Sequence, residues 1–581
     1  MEPLLQISGL EIDIPTRRGT VHAVRGLDLD IARGEIVGLV GESGSGKSMT
    51  AMAVVGLLPP AARITAGTIS LGGRSIIDAR HQDLQQVRRH DVGVVFQAPM
   101  KALNPRMMVG TQLREALLRA ERPNLRAAMV RSLELLDAVG INRPMERLRQ
   151  YPHELSGGLA QRVVIALALA RHPRLLIADE PTTALDVSVQ AQILDLLDHL
   201  RSTLDLAVLL VSHDLDVIRD RADRVNVINL GRIVERGPTL DVIDRPQHEY
   251  TQSLVAAMPS LARRRDLALV GLHRPSGAAA ADGAGAGGTG DAPVADLDDG
   301  RPVDTPVDQD LVPIAEAIDV HKAFALPGGR LPWRPAHRRT AVEGVSVSIR
   351  PGESLGIVGE SGSGKTTLAR MLVGLAEPDS GEIRFDGRPV TALDREARTT
   401  WRRDVQFVFQ DSTSALDPRR TVADSIGEPM LAAGVPATER HRRVVELLGE
   451  VGLAEHFGER RPRQLSGGQR QRVGIARALA LDPRLIVADE PVSALDVSVQ
   501  ATVLNLLNRL RRRRNVAYAI ISHDLGVISY LCTTVVVMYQ GKVVDAGPVE
   551  QVLTEPSHDY TRMLLAAVPG ARGRVAVPEV I

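Results

Sequence analysis

Little in this sequence can form a disulfide or a thiolate–metal cross-link. One cysteine, Cys532, serves all 581 residues. No disulfide framework, all-cysteine metal site or iron–sulfur cluster can be built from it alone, and one cysteine suits a reducing cytoplasm. It precedes the run "TTVVVM" and reads as a small buried hydrophobe. Aromatics make up only 2% of residues, which argues against modules that stack RNA bases on Phe and Tyr. Net charge is lacking too: Lys and Arg total 70, as do Asp and Glu. A protein whose task is gripping nucleic acid carries a basic excess, so no nucleic-acid partner is expected. No run of 18 apolar residues occurs, which predicts no membrane-spanning helix. The opening "MEPLLQISGLEID" holds acids and no basic segment, so it predicts no secretory signal. A membrane role would then pass through partner proteins.

What the sequence does have is one module written twice. "GESGSGKS" begins at Gly41 and "GESGSGKT" at Gly359; "LSGG" begins at Leu155 and Leu465. "ADEPTTALDVSVQAQ" begins at Ala178, "ADEPVSALDVSVQAT" at Ala488, and "SHDL" at Ser212 and Ser522. The order is unchanged, which marks a duplicated domain rather than a solenoid. The expected boundaries are residues 4–259 and 312–569, with a tail at 570–581. Residues 260–311 read as a connector. The stretch 281–310 holds eight Asp against one Arg among Gly, Ala and Pro. Such a segment cannot bury enough apolar surface to offset its ordering entropy. As a Gly-rich coil of about 50 residues it would span roughly 40 Å, letting the two copies meet at about millimolar effective concentration.

Each copy reads as α/β. Leu27, Leu29 and Ile31 alternate as in a half-buried strand, and Val345, Val347 and Ile349 repeat the pattern. "EIVGLV", "LLIAD" and "AVLLVSHD" are continuous apolar runs, expected of buried central strands. A helical pattern follows each Gly-rich loop. Strand, loop, helix and further strands predict a mostly parallel sheet covered by helices.

Both Gly-rich loops fit G-x-x-x-x-G-K-[ST]. In that spacing the glycines let successive backbone N–H groups converge on phosphate oxygens, and the next helix adds the positive end of its dipole. The cradle residues are Gly41, Glu42, Ser43, Gly44, Ser45, Gly46, Lys47, Ser48 and Met49. In the second copy they are Gly359, Glu360, Ser361, Gly362, Ser363, Gly364, Lys365, Thr366 and Thr367. Lys47 and Lys365 place an ammonium on the outer phosphates of a nucleotide such as ATP; Ser48 and Thr366 offer a hydroxyl to Mg²⁺. Asp179 and Asp489 end apolar strands, where a carboxylate can reach the Mg²⁺ shell. Glu180 and Glu490 follow at once and can polarise an attacking water.

"LSGGLAQRV" (155–163) and "LSGGQRQRV" (465–473) resemble the signature of ATP-binding-cassette ATPases. The resemblance implies two tandem cassettes. Each would be a mostly parallel sheet with flanking helices, an antiparallel β subdomain and a helical signature subdomain. It implies head-to-tail pairing of the two, with each ATP held between one phosphate loop and the other copy's signature. Ser156, Gly157 and Gly158, and Ser466, Gly467, Gly468 and Gln469, are the implied signature contacts. Gln97 and Gln410 are implied Mg²⁺-touching glutamines, Asp186 and Asp496 the loop crossing the interface, and His213 and His523 switch histidines on the γ-phosphate. Leu159 replaces the signature glutamine, and Leu167 stands where the second copy has Arg477. Adenine-stacking candidates are Arg18 or His22 in the first copy and Trp333 in the second.

The segments "FQAPMKALNPRMMVGTQLRE" and "RPQHEYTQSLVAAMP", with their second-copy counterparts, resemble the ATPase subunits of dipeptide, oligopeptide and nickel importers. The first copy is similar to the D-type subunit and the second to the F-type. That resemblance implies hydrolysis coupled to import, two integral membrane permease subunits, and through them an extracytoplasmic substrate-binding protein. It also implies a place on the cytoplasmic face of the membrane. D-type cysteine clusters have no counterpart here, so no iron–sulfur cluster is expected. A twin-cassette protein of translation or DNA repair, or an exporter ATPase, is the alternative reading. The acidic connector and the importer-like tails argue against both.

Overall fold

The computed structural model describes residues 3–16, 19–77, 81–120, 124–183, 185–259, 269, 310–325, 338–410, 415–493 and 495–569. The chain divides into two compact units, one holding the first copy as far as Ala256, the other holding the second copy. Ala257–Pro259 and Leu269 belong with the second unit.

In the first unit a six-stranded sheet runs in the order Arg232–Pro238, Arg224–Asn229, Ile36–Val40, Ala207–Ser212, Leu175–Asp179, Val92–Val95. All neighbours are parallel except the outermost pair, Arg232–Pro238 with Arg224–Asn229. The second unit repeats this with Val405–Val408, Leu485–Asp489, Ala517–Ile521, Ser354–Val358, Thr534–Tyr539 and Lys542–Pro548. The strands Ile36–Val40 and Leu175–Asp179 are buried at every residue, as their unbroken apolar runs require.

A separate four-stranded antiparallel sheet in each unit holds the alternating segments, Gly19–Ile31 in the first and Arg338–Ile349 in the second. Leu27, Leu29 and Ile31 turn inward and join Val37, Leu39, Ala51 and Val54 in one hydrophobic cluster. The helix Lys47–Val54 is thereby held against both sheets. Each fully buried Leu or Ile of this cluster contributes about 1.5–3 kcal/mol. A third, helical region carries the signature: Val109–Ala120, Leu125–Ala138 and Gly157–Leu169, matched by Val422–Ala432, Ala437–Glu450 and Gly467–Leu479.

This topology puts the chemistry on one edge of the parallel sheet. Gly41 follows Ile36–Val40, Gln97 follows Val92–Val95, Glu180 follows Leu175–Asp179 and His213 follows Ala207–Ser212. Ligands of open α/β sheets bind outside the carboxyl ends of the strands.

Cys532 is fully buried, a packed hydrophobe. Among the described residues no helix is long and apolar enough to cross a membrane. Most of the expected connector lies outside the described residues. Its residue Leu269, however, is 2% exposed. Its N–H donates to Asn505 Oδ1 at 3.1 Å, and its carbonyl accepts from Asn505 Nδ2 at 2.7 Å. The composition argument for solvation covers residues 281–310; Leu269, within the expected connector, is held by a matched amide partner.

Candidate functional site

The phosphate loops are built alike. Gly46 and Gly364 precede their helices at φ 109° and 103°, a left-handed region that glycine enters without a Cβ penalty. A Cβ on Gly46 would stand 2.6 Å from the Ala23 carbonyl, and one on Gly364 would collide with that of Ala341. The turn aims the first N–H groups of Lys47–Val54 and Lys365–Leu372 into the loop. Lys47 is 5% exposed and donates to the carbonyls of Gly41 at 2.6 Å and Glu42 at 2.8 Å. Lys365 donates to Gly359 and Glu360, both at 2.7 Å. Ser45 Oγ is buried with no hydrogen-bond partner, a donor suited to a phosphate oxygen. A triphosphate therefore fits what this loop offers: converging N–H groups, a buried ammonium and an unsatisfied hydroxyl.

Ser48 Oγ lies 3.3 Å from Asp179 Oδ1, and Thr366 Oγ1 lies 3.3 Å from Asp489 Oδ1. Burial pushes both aspartates above the usual carboxylate range, against the hydrogen bonds that lower them. A hydroxyl and a strained carboxylate side by side suit a divalent cation, which favours the ionised carboxylate that burial disfavours.

The next residue in each copy is backbone-constrained. Glu180 and Glu490 have φ 50° and 47°, an uncommon region for a residue with a side chain. Gln97 Nε2 donates to Glu180 Oε2 at 2.6 Å, and Thr183 Oγ1 donates to the same oxygen at 3.0 Å. His213 Nδ1 lies 3.1 Å from Glu180 Oε1. Burial raises the Glu180 carboxyl, but the hydrogen bond and charge of His213, with Thr183 and Gln97, bring it down to about 2. The second copy repeats the triangle. Gln410 Nε2 donates to Glu490 Oε2 at 2.7 Å, and His523 Nδ1 lies 3.2 Å from Glu490 Oε1. Burial and His523 oppose each other there as well, and the carboxyl again lies below its ordinary value.

Each unit thus brings together its loop, strand-end Asp–Glu pair, glutamine and histidine. The signature stands apart. Ser156 caps Gly157–Leu169 and Ser466 caps Gly467–Leu479. A Cβ on Gly158 would stand 2.5 Å from Val189, and one on Gly468 would collide with Val499, so each glycine admits a neighbouring helix. Asp186 and Asp496 precede those neighbouring helices, Val187–Leu204 and Val497–Arg514.

Of the adenine candidates, Arg18 and Trp333 lie outside the described residues, and His22 pairs with Asp13 at 2.7 Å. An aromatic was missed. Phe324, 48% exposed, pairs across its sheet with Arg339. The Arg339 guanidinium lies 3.0 Å from where a Cβ on Gly362 would stand. Arg339 thus links the second phosphate loop to the strand that carries Phe324. The corresponding strand position in the first copy is Ile14, paired with Val21. Tyr250 and Tyr560 were missed as well; their hydroxyls meet the phosphate loops.

Comparison with known proteins finds the ABC transporter family at residues 24–183 and 342–493. The oligopeptide/dipeptide transporter C-terminal region matches residues 234–285 and 544–577. The chain is 42% identical over 605 aligned residues to the oligopeptide transport ATP-binding protein OppD of Mycobacterium tuberculosis, covering 98% of this chain and 99% of that one. It is 42% identical over 581 residues to the glutathione import ATP-binding protein GsiA of Escherichia coli K12, covering 98% and 90%. Duplicated loops, acidic strand ends and signatures over this whole-length similarity have one meaning: the chain belongs to the ABC transporter family, as an ATP-hydrolysing subunit that carries two cassettes.

Proposed function

We propose that this chain drives import of small peptides, di- or oligopeptides or a peptide such as glutathione, by hydrolysing ATP at two sites. One observation carries the reading: proteins named for oligopeptide transport and glutathione import match it over 98% of its length. The C-terminal region of that transporter class, present in both cassettes, supports it. The partners are two integral membrane permease subunits and, through them, a substrate-binding protein outside the membrane. The chain works at the cytoplasmic face. The cassettes, residues 4–259 and 312–569, pair with each other across the connector, each phosphate loop facing the other cassette's signature.

The residues take the following parts. Backbone N–H groups of the loops and Lys47 or Lys365 hold the phosphates. Ser48, Gln97 and Asp179, and Thr366, Gln410 and Asp489, would hold Mg²⁺. When bound, that ion neutralises charge on the phosphate oxygens. Glu180 and Glu490 are ionised at neutral pH and accept hydrogen bonds from the attacking water. In the arrangement described above, His213 and Gln97 occupy Glu180. The histidine must exchange that carboxylate for the γ-phosphate, which frees an oxygen for water. Only a closed pair satisfies the γ-phosphate from both sides, so ATP binding is the switch.

The test is ATP hydrolysis by the purified chain, alone and reconstituted with its permease subunits. The reading expects the permeases and a peptide-loaded binding protein to raise the rate. Stimulation by RNA or DNA instead of the membrane subunits would refute it.

A further inference from the structure

The C-terminal transporter region reaches back to the phosphate loop in both cassettes. The Glu42 N–H donates to the Tyr250 hydroxyl at 3.2 Å, across 208 residues of sequence. The Glu360 N–H donates to the Tyr560 hydroxyl at 2.9 Å, across 200 residues. The two tyrosines arrive by the same construction from different residues. In the first cassette Glu235, on the last strand, accepts the N–H groups of Gln247 at 2.8 Å and His248 at 3.1 Å. In the second, Asp545 accepts those of Ser557 at 3.0 Å and His558 at 3.3 Å. His248 Nδ1 then accepts the Tyr250 N–H, and His558 Nδ1 the Tyr560 N–H, both at 3.1 Å. A carboxylate fixes the turn, an imidazole fixes the start of the helix, and the hydroxyl is delivered to the loop.

The peptide it meets is the one that holds the lysine. In a trans peptide the C=O and the N–H point in opposite directions. The Gly41 carbonyl accepts from Lys47, while the N–H on the other side of the same plane, that of Glu42, donates to Tyr250. Gly359 and Glu360 stand between Lys365 and Tyr560 in the same way. Two contacts on opposite edges fix that peptide plane.

We propose that Tyr250 and Tyr560 are positioning residues for nucleotide binding. Each hydroxyl locks the first peptide of its phosphate loop, so that the lysine ammonium is already aimed when a nucleoside triphosphate arrives. The C-terminal region thereby acts on the site as a brace. This rests on the reading of residues 41–48 and 359–366 as nucleotide cradles.

The experiment compares the full chain with Tyr250→Phe/Tyr560→Phe and with Lys47→Ala/Lys365→Ala, following ATP binding, KM, kcat and nucleotide-free melting. Loss of one hydrogen bond per site raises KM for ATP by about fivefold. The expected kcat stays within about twofold, because the tyrosines touch no reacting atom. Unchanged KM in the tyrosine variant overturns the proposal, as does a lower melting temperature with wild-type KM. If the lysine variant still binds ATP at wild-type affinity, the cradle reading itself falls. If the lysine variant loses ATP while the tyrosine variant keeps its KM, the brace alone falls.

Discussion

The two cassettes share the geometry of their candidate sites and differ in what surrounds it. Lys, Asp, Glu, Gln and His occupy the same places with distances that agree within a few tenths of an ångström. The supports diverge. In the second cassette the signature helix opens on a complete reciprocal cap: Ser466 Oγ accepts the Gln469 N–H at 3.3 Å, and Gln469 Oε1 accepts the Ser466 N–H at 3.0 Å. Leu159 leaves the first cassette only the serine half. Arg477 ties the second signature helix to the Ala415 carbonyl at 2.9 Å and to Glu428 at 2.8 Å; Leu167 can make neither bond.

A third difference lies in the helices that follow His213 and His523. In the first cassette Arg221 is held by Asp195 and Asp198. The matching positions in the second are Leu531, Asn505 and Asn508. Asn505 there donates to and accepts from the Leu269 backbone, and its oxygen also accepts from Tyr530 at 2.6 Å. An aspartate has no donor for the Leu269 carbonyl. A Cβ on Gly526 would lie 2.6 Å from the Pro259 carbonyl, and the first cassette carries Asp216 at that position. Duplication has kept the candidate-site residues and let the supporting residues specialise.

The comparison can be broken at three points. The largest effect is expected at Phe324. If it stacks on adenine, Phe324→Ala costs about 1–3 kcal/mol of binding, about tenfold in nucleotide affinity at the second site. Ile14→Ala should leave affinity at the first site nearly unchanged, and equal losses at both sites would remove the asymmetry. Next comes Asn505→Ala. It removes both the acceptor for the Leu269 N–H and the donor to the Leu269 carbonyl, and hydrogen exchange at the Leu269 amide should quicken by about tenfold. Asp195→Asn should not alter that exchange. The smallest effect is that of Arg477→Leu, which gives the second cassette the first one's residue. It should destabilise the second cassette by about 1 kcal/mol, read by denaturant unfolding with Leu167→Ala as the reference.

The phosphate loops, strand-end acids, signatures and histidines were legible because each is a short run of adjacent residues whose chemistry depends on local spacing. The parallel sheet was legible from its unbroken apolar strands. Contacts between distant runs were not. Tyr250 meets a loop 208 residues away, and nothing in "HEYTQSL" announces an acceptor for Glu42. Phe324 was not among the adenine candidates: it lies 41 residues before Lys365, well upstream of Trp333. The second copy has extra residues between the strands Ala315–Ala325 and Arg338–Ile349, and they displace the aromatic in sequence without moving it in the sheet. Leu269 falls inside the expected connector, but the composition argument covered residues 281–310 alone, so a buried leucine upstream of them lay outside its reach.

The central claim is that both cassettes hydrolyse ATP despite their unequal supports. The most direct measurement is steady-state ATP hydrolysis by the full chain with Glu180→Gln and Glu490→Gln made separately. Each carboxylate is constrained at positive φ and held by the same glutamine–histidine pair. On the proposed joint closure of the two cassettes, each substitution alone should therefore lower kcat by about 100-fold. If either variant retains wild-type turnover, that site is not hydrolytic and the two cassettes differ in chemistry as well as in support.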